Sequence, residues 1–168
     1  MTSAASSNHT PELTITTPSD RELSWTRSFR APISRVFAAI TQPEYVRRWL
    51  LGPEGWSMPT CEIDLRPDGR YRYVWRRDRD GKEMGMGGVF REVTSPSRVT
   101  FTETFDEAWY SGHALGRYEL REQRGVTVFV QTMQYESSAV RDEVLRSGLE
   151  DGIVKSHQRL DAILIDQN

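Results

Sequence analysis

The sequence predicts an α+β protein in which one curved antiparallel sheet of about seven strands wraps around a long C-terminal helix. Three observations support this class. Apolar and polar residues alternate in short segments between residues 22 and 135, turn-forming residues separate those segments, and residues 138–165 carry an apolar stripe with helical spacing. Because a bent sheet and a helix do not fill all the space between them, a cavity is expected there.

The first strand is predicted at residues 22–29, where large apolar side chains occupy every second position. Pro32 follows, and it suits the first turn of a helix. Apolar side chains continue after it at helical spacing, which predicts one short helix. Pro43 opens a second short helix, which a Gly-Pro pair closes.

Six further strands follow in hairpins, at residues 61–65, 71–75, 84–93, 99–105, 112–122 and 126–135. Their connections are short and rich in Pro, Asp and Gly, which is typical of an antiparallel meander. Gly85, Gly87 and Gly88 indicate a bulge or a close approach of a neighbouring backbone. The final helix is expected to be interrupted near Gly148.

The 168 residues suit one domain with a sizeable core. Residues 1–20 are rich in Ser, Thr and Pro and nearly lack large apolar groups. We therefore expect a flexible tail over 1–20 and a single domain over 21–168.

The charge balance argues against several partners. With 22 Lys and Arg against 24 Asp and Glu, the net charge is -2, and no basic run offers a site for nucleic acid or an anionic membrane. The single Cys61 cannot form an internal disulfide, and neither a signal peptide nor a membrane-spanning run is apparent. A cytoplasmic protein is expected. The three histidines lack carboxylates at metal-ligand spacing, so neither a metal nor a cofactor is expected.

Several segments together resemble a known family. They are Arg27-Ser-Phe-Arg-Ala-Pro32, Cys61-Glu-Ile-Asp-Leu-Arg-Pro-Asp-Gly69, Gly88-Val-Phe-Arg-Glu-Val93, Thr102-Glu-Thr-Phe-Asp106 and Arg159-Leu160. Their order and spacing over about residues 22–165 resemble the START/Bet v-like (SRPBCC) superfamily, and within it the heat-shock-protein-90 ATPase activator-like (AHSA-type) branch. The resemblance implies a helix-grip fold.

The resemblance also implies a range of functions. Members of the superfamily bind lipids, hormones or polyketides, some cyclise polyketides, and the eukaryotic namesake of the branch stimulates a chaperone's ATPase. The chaperone activators carry an additional N-terminal domain that this chain lacks, so a chaperone partner is not expected.

Polar residues occur on strand faces that should point inward. Glu103 lies between Phe101 and Phe105, and Arg27 and Gln131 occupy comparable positions in their own strands. A bare charge on an apolar face is unfavourable, so each group needs a partner or water. Either these groups orient the polar end of a ligand, or Arg27 and Glu103 form an internal ion pair. Glu103 is also the candidate catalytic acid or base.

The predicted ligand-binding residues combine aromatic and Met side chains of the strands with small residues of the final helix. They are Tyr71, Tyr73, Trp75, Met84, Met86, Phe101, Glu103, Trp109, Tyr110, Tyr118, Gln131, Met133, Gly152 and Ser156. Trp109 and Tyr110 lie in a loop, where they either cover the cavity mouth or pack against the final helix. Gly148, Gly152 and Ser156 are four residues apart, which indicates open volume, close packing or a helix break at Gly148.

The sequence therefore predicts a protein that binds a small hydrophobic or amphipathic molecule between sheet and helix, with Glu103 or Tyr118 holding its polar end. One alternative is a cyclase-like or hydrolase-like enzyme using the same cavity, which an open cavity and a raised pKa of Glu103 would favour. Another is a protein-interaction module, which exposed aromatic residues over a filled core would favour. A homodimer, formed through a sheet edge or the Trp109 loop, stays an open alternative.

Overall fold

The computed structural model describes residues 13–166. In chain order its elements are β1 (Thr14–Thr16), β2 (Glu22–Phe29), α1 (Ile33–Thr41), α2 (Pro43–Trp49), β3 (Trp56–Ile63), β4 (Arg70–Arg77), β5 (Glu83–Thr94), β6 (Arg98–Phe105), β7 (Ala114–Gln123), β8 (Val126–Gln134), α3 (Ser138–Arg146) and α4 (Leu149–Asp166). This order confirms the α+β class and the helix-grip arrangement.

The strands form one open antiparallel sheet in the order β1-β2-β8-β7-β6-β5-β4-β3. The consecutive strands β3 to β8 are the predicted meander, and β2 closes the order by pairing with β8. Short turns connect neighbouring strands, which is why the pairing follows chain order.

The described sheet has eight strands, against the expected number of about seven. The additional strand β1 lies within the segment that was expected to be a flexible tail. Ile15 pairs with Trp25 and packs against the core, which fixes the segment although its neighbours are Ser, Thr and Pro. The remainder of the predicted tail up to residue 12 lies outside the described residues.

Glycine permits close contact between β5 and β6. A Cβ atom on Gly88 would lie 1.8 Å from the carbonyl oxygen of Thr102, a distance that no real side chain tolerates. The predicted close approach at the glycine-rich stretch is therefore confirmed. The irregularity in pairing comes later in the same strand, between Phe90 and Glu92.

The C-terminal segment consists of two helices. Ser137 caps α3, because its hydroxyl oxygen accepts a hydrogen bond from the Val140 N–H at 3.2 Å. Gly148 has a φ of +85°, a left-handed conformation that glycine adopts without strain, and it separates α3 from α4. The predicted break at Gly148 is confirmed. Within residues 13–166, no helix has both the length and the apolar character needed to span a membrane.

Helix α4 lies against the sheet and the two short helices. Its buried face carries Ile153, Leu160, Ile163 and Leu164, which join the same core as the strand residues. Polar contacts fix the helix at several points along its length. One of them is a hydrogen bond from Arg159 to the Gly52 carbonyl oxygen at 3.0 Å.

Candidate functional site

A pocket of about 480 Å³ lies between the sheet and helix α4. Its lining is mostly apolar and comes from the seven strands β2 to β8, from α1 and α2, and from the C-terminal helices. The lining residues are Trp25, Ile40, Thr41, Trp49, Leu50, Gly52, Pro53, Ile63, Tyr71, Tyr73, Trp75, Met84, Met86, Phe90, Phe101, Glu103, Phe105, Trp109, Tyr118, Gln131, Met133, Tyr135, Val144, Gly148, Leu149, Asp151, Gly152, Ile153, Lys155, Ser156 and His157. Its size falls in the range of pockets for small organic molecules.

Aromatic rings from strands β4, β6, β7 and β8 contact one another in a continuous series. Tyr71 lies 5.2 Å from Tyr73 and 5.9 Å from Phe101, measured between ring centroids. Phe101 lies 4.8 Å from Tyr118, whose ring is in turn 5.3 Å from Phe129. Rings that support one another in this way keep their positions, so the wall is formed before any ligand arrives.

Glu103 carries a carboxyl group on this apolar wall. Its Oε1 atom accepts a hydrogen bond from the Tyr110 hydroxyl at 2.9 Å. Among residues 13–166, Tyr110 is its only hydrogen-bond partner. Burial raises the pKa of Glu103 to about 7, and the Tyr110 hydrogen bond offsets part of that rise. The Glu103 carboxyl group therefore gains or loses its proton near neutral pH.

Tyrosines surround this carboxyl group. Burial raises the pKa of Tyr71, Tyr110, Tyr118 and Tyr135, and the nearby Glu103 charge raises each of them further. The Tyr71 hydroxyl donates to the Thr102 carbonyl oxygen at 2.6 Å. The Tyr118 hydroxyl makes no hydrogen bond within the described part of the chain. Glu103 and Tyr118 thus both keep polar atoms that have no hydrogen-bond partner among residues 13–166.

Gln131 adds an amide group beside Tyr118. The two residues pair directly across β7 and β8, so their side chains leave the sheet on the same face. The Gln131 amide nitrogen donates a weak hydrogen bond to the Met133 sulfur at 3.6 Å. The amide oxygen has no partner in residues 13–166, and it adds one acceptor to the polar end of the pocket.

His157 lines the opposite part of the pocket, and it was not among the predicted site residues. Its ring lies 5.7 Å from Phe29, 6.3 Å from Trp49 and 6.0 Å from Phe129. Burial, together with the nearby Arg27 charge, lowers the pKa of His157 to about 4. Its Nδ1 atom is buried and has no hydrogen-bond partner among residues 13–166. Helical spacing from Ile153 and to Leu160 on the apolar stripe was the signal that could have identified it.

The proposed pairing of Arg27 with Glu103 was wrong. Arg27 is only 4% exposed and forms its ion pair with Asp161 on α4. Strands β8 and β7 lie between β2 and β6. Three strand spacings amount to about 14 Å across the sheet alone, and the pairing registers offset the two residues further along the strands, so their side chains do not meet.

All the predicted ligand-binding residues line the pocket except Tyr110. Tyr110 is buried behind Glu103, 5.3 Å from the Tyr135 ring and 4.9 Å from the Trp109 ring. Trp109 is 41% exposed and lies on the pocket wall, so the two loop residues occupy different environments. A Cβ on Gly152 would meet no atom within 4 Å, which favours open volume over close packing at that position.

Within the part of the chain that the structure describes, no three His, Cys, Asp or Glu side chains lie together as ligands. Cys61 is buried in the core, and burial raises the pKa of its thiol to about 11. The pocket chemistry therefore rests on Glu103, Tyr118, Gln131 and His157.

A sheet that holds a C-terminal helix over an apolar pocket defines the class as a helix-grip protein. Residues 30–165 match the family described as Activator of Hsp90 ATPase homolog 1-like protein, and the chain belongs to this family. The predicted AHSA-type branch is confirmed. No curated protein sequence matches the chain.

Solved structures of bacterial proteins share the fold. A Rhodobacter sphaeroides protein is 26% identical, with a TM-score of 0.86 over 92% of this chain and 99% of that one. A Mycobacterium smegmatis protein is 23% identical, with a TM-score of 0.80 over 94% of this chain and 100% of its own. An AHSA1 protein from Silicibacter pomeroyi is 21% identical, with a TM-score of 0.69 over 88% of this chain and 99% of that one.

Proposed function

We propose that the protein binds a small hydrophobic or amphipathic molecule in the pocket, with Glu103 and Tyr118 holding its polar end. One observation carries this proposal: the pocket of about 480 Å³ has aromatic walls, and its few polar groups are placed at defined points on them. Such a combination is typical of small-molecule sites, where apolar walls supply affinity and convergent polar groups supply orientation.

The energetics favour an amphipathic ligand over a purely apolar one. Burying about 250 Å² of apolar ligand surface contributes about 6 kcal/mol. Losses of translational and rotational freedom offset much of this gain. Polar contacts with Glu103, Tyr118 or Gln131 then supply both the remaining affinity and a fixed orientation, because each of these groups keeps a polar atom that has no partner among residues 13–166.

Native mass spectrometry of protein isolated from cell extract tests the proposal. We expect a co-purifying small molecule on the wild-type chain and its loss from Gly152→Phe, which adds a ring where a Cβ meets open space. Glu150→Phe is the matched control, since Glu150 lies on the same helix but does not line the pocket. A clean apo mass from several extracts, or equal occupancy in both variants, would count against binding in this pocket.

A second candidate function is proton-transfer catalysis by Glu103, as in a cyclase-like or hydrolase-like enzyme. The specific observation is that this carboxyl group lies on the wall of an open pocket with a pKa raised to about 7. A group with such a pKa acts as either acid or base at neutral pH. Metabolite profiles of extract incubated with wild type and with Glu103→Gln distinguish this role, because only the wild type should convert a substrate.

The protein-interaction alternative has less support. It required paired exposed aromatic residues over a filled core. Tyr110 is instead buried, and open space lies between the sheet and α4. We therefore do not propose a chaperone-directed role.

We further propose a cytoplasmic location, on the ground that the single Cys61 cannot form an internal disulfide. A homodimer through a sheet edge or the Trp109 loop stays a prediction. Fractionation and light scattering test these two points.

A further inference from the structure

One oxygen of the Glu103 carboxyl group has no protein partner. Oε1 accepts the Tyr110 hydrogen bond at 2.9 Å, and no second donor reaches the group from residues 13–166. An unpaired carboxylate oxygen in apolar surroundings is unfavourable. A donor on the bound molecule would remove this penalty, and a positively charged donor would remove most of it.

The rings near this oxygen suit a cation. Tyr71, Tyr73 and Tyr118 all line the pocket and lie close enough to feel the Glu103 charge. Phe101 precedes Glu103 by two residues on the same strand face and also lines the pocket. The faces of such rings carry partial negative charge and attract ammonium groups.

None of the described residues that line the pocket places a positively charged side chain in its buried interior. The ionisable lining groups, apart from the tyrosines, are Glu103, Asp151, Lys155 and His157. Asp151 and Lys155 are exposed and lie one helical turn apart on α4. His157 is neutral near pH 7, and Arg27 is not part of the lining. In the pocket interior, a carboxylate ligand would therefore meet the Glu103 charge, while the lining cation Lys155 lies exposed on α4 beside Asp151.

We propose that the pocket selects molecules with an apolar body and a basic nitrogen, whose ammonium group binds the free oxygen of Glu103 among the rings of Tyr71, Tyr73 and Tyr118. This inference rests on the proposed binding function. It narrows that function to one chemical class, the hydrophobic amines.

Three matched probes test the selectivity: 2-(1-naphthyl)ethylamine, 2-(1-naphthyl)ethanol and 1-naphthaleneacetate, measured by isothermal titration calorimetry at pH 8. They share one ring system and differ in the charge of their polar end. We expect the amine to bind about tenfold or more tighter than the alcohol, as a charge-assisted hydrogen bond implies, and the carboxylate to bind weakest. Glu103→Gln should remove the amine's advantage and leave alcohol binding unchanged.

Glu107→Gln is the matched control, because Glu107 is exposed, lies in the neighbouring loop and does not line the pocket. It should bind all three probes as the wild type does. Equal binding of amine and alcohol, or an amine preference that survives Glu103→Gln, would overturn the inference and leave the binding function standing. Failure of all three probes to bind would count against the binding function itself.

If Glu103→Gln does not fold, a measurement on the wild type alone still tests the proposal. Amine binding at pH 7 should release protons, because the ammonium group favours the ionised form of Glu103. The tyrosines that face Glu103 (Tyr71, Tyr73, Tyr110, Tyr118 and Tyr135) all have raised pKa values and do not titrate there. Titration in two buffers of different ionisation enthalpy measures the release, and its absence would contradict the proposal.

Discussion

Glu103 and His157 are ionisable side chains that line the same apolar pocket, and burial moves their pKa values in opposite directions. Burial raises the pKa of Glu103 to about 7 and lowers that of His157 to about 4. Both shifts favour the neutral form, since an apolar environment penalises charge of either sign. Between these two pKa values the pocket interior is thus close to neutral, and above pH 7 it gains one negative charge at Glu103.

Stability should depend on pH through Glu103. The carboxyl group titrates near its ordinary value of 4.5 in the unfolded chain and near 7 in the folded one. The unfolded state therefore loses its proton first, so the free energy of unfolding falls as pH rises from about 4.5 to 7. Glu103→Gln removes this loss and should exceed the wild type in stability by about 2 to 3 kcal/mol at pH 8, while matching it at pH 4.

Urea unfolding of the ligand-free proteins at pH 4, 6 and 8 measures this difference. Glu107→Gln, an exposed neighbour of the same type, should follow the wild-type pH profile. A Glu103→Gln profile parallel to the wild type at every pH would show that the carboxyl group is not penalised by its site.

Glycines in the sheet and in helix α4 have opposite roles. On β5, the position of Gly88 leaves no space for a methyl group, because the Thr102 carbonyl oxygen and the Tyr71 ring lie 1.8 Å and 2.9 Å from the site of a Cβ. On α4, a methyl group at Gly152 would contact nothing. The same substitution should therefore destabilise one element and stabilise the other.

Gly88→Ala should lower the free energy of unfolding by more than about 3 kcal/mol, because β5 and β6 must separate to admit the methyl group. Gly152→Ala should raise it by about 0.5 to 1 kcal/mol, the difference in helix propensity between the two residues. Urea denaturation of both variants measures the changes. A mild effect at Gly88 would mean that the two strands yield locally, and a loss of stability at Gly152 would mean that the helix is crowded there.

The sequence predicted strands wherever one face of a segment is apolar. It missed β1 and the first half of β3, whose side chains are little buried. The alternation in β4, β6 and β8 reflects real burial of every second residue, so these strands were placed within two residues of their observed ends. Strand β3 begins at Trp56, five residues before the predicted start, because its first half lies at the sheet edge and carries exposed Ser57 and Pro59. β1 is only three residues long and provides a single apolar side chain. Edge pairing depends on the backbone and leaves little trace in the pattern of side chains.

At the scale of the whole molecule, the sequence predicted which residues line the pocket. It did not predict which of the polar side chains form hydrogen bonds or ion pairs with one another. Alternation identified which strand residues face inward, and this selected Tyr71, Phe101 and Glu103 together. Which polar groups meet depends on strand order and on where α4 lies, neither of which is local in sequence. Hence an ion pair between Arg27 and Glu103 was one of the alternatives, whereas Tyr110 is the partner of Glu103 and Asp161 is the partner of Arg27.

The Arg27–Asp161 ion pair links the sheet to α4, and it makes the placement of the helix sensitive to one side chain. Burial raises the pKa of Asp161 despite the opposing effect of Arg27, and Arg27 Nη1 is buried without a partner among residues 13–166. Removing the two charged groups from water therefore costs free energy, and the chief role of Asp161 is to compensate the Arg27 charge. Losing one partner should be worse than losing both.

Asp161→Asn should lower the free energy of unfolding by about 3 kcal/mol, because a guanidinium group that is 4% exposed then lacks its counter-charge. The double variant Arg27→Met with Asp161→Leu should recover most of that loss, since it replaces the pair by apolar side chains of similar size. Asp166→Asn, at the exposed end of the same helix, should change little. Urea unfolding of all three variants measures the coupling. If the double variant were as unstable as Asp161→Asn alone, the ion pair would itself stabilise the contact between sheet and helix, and the asymmetry argued from burial would be wrong.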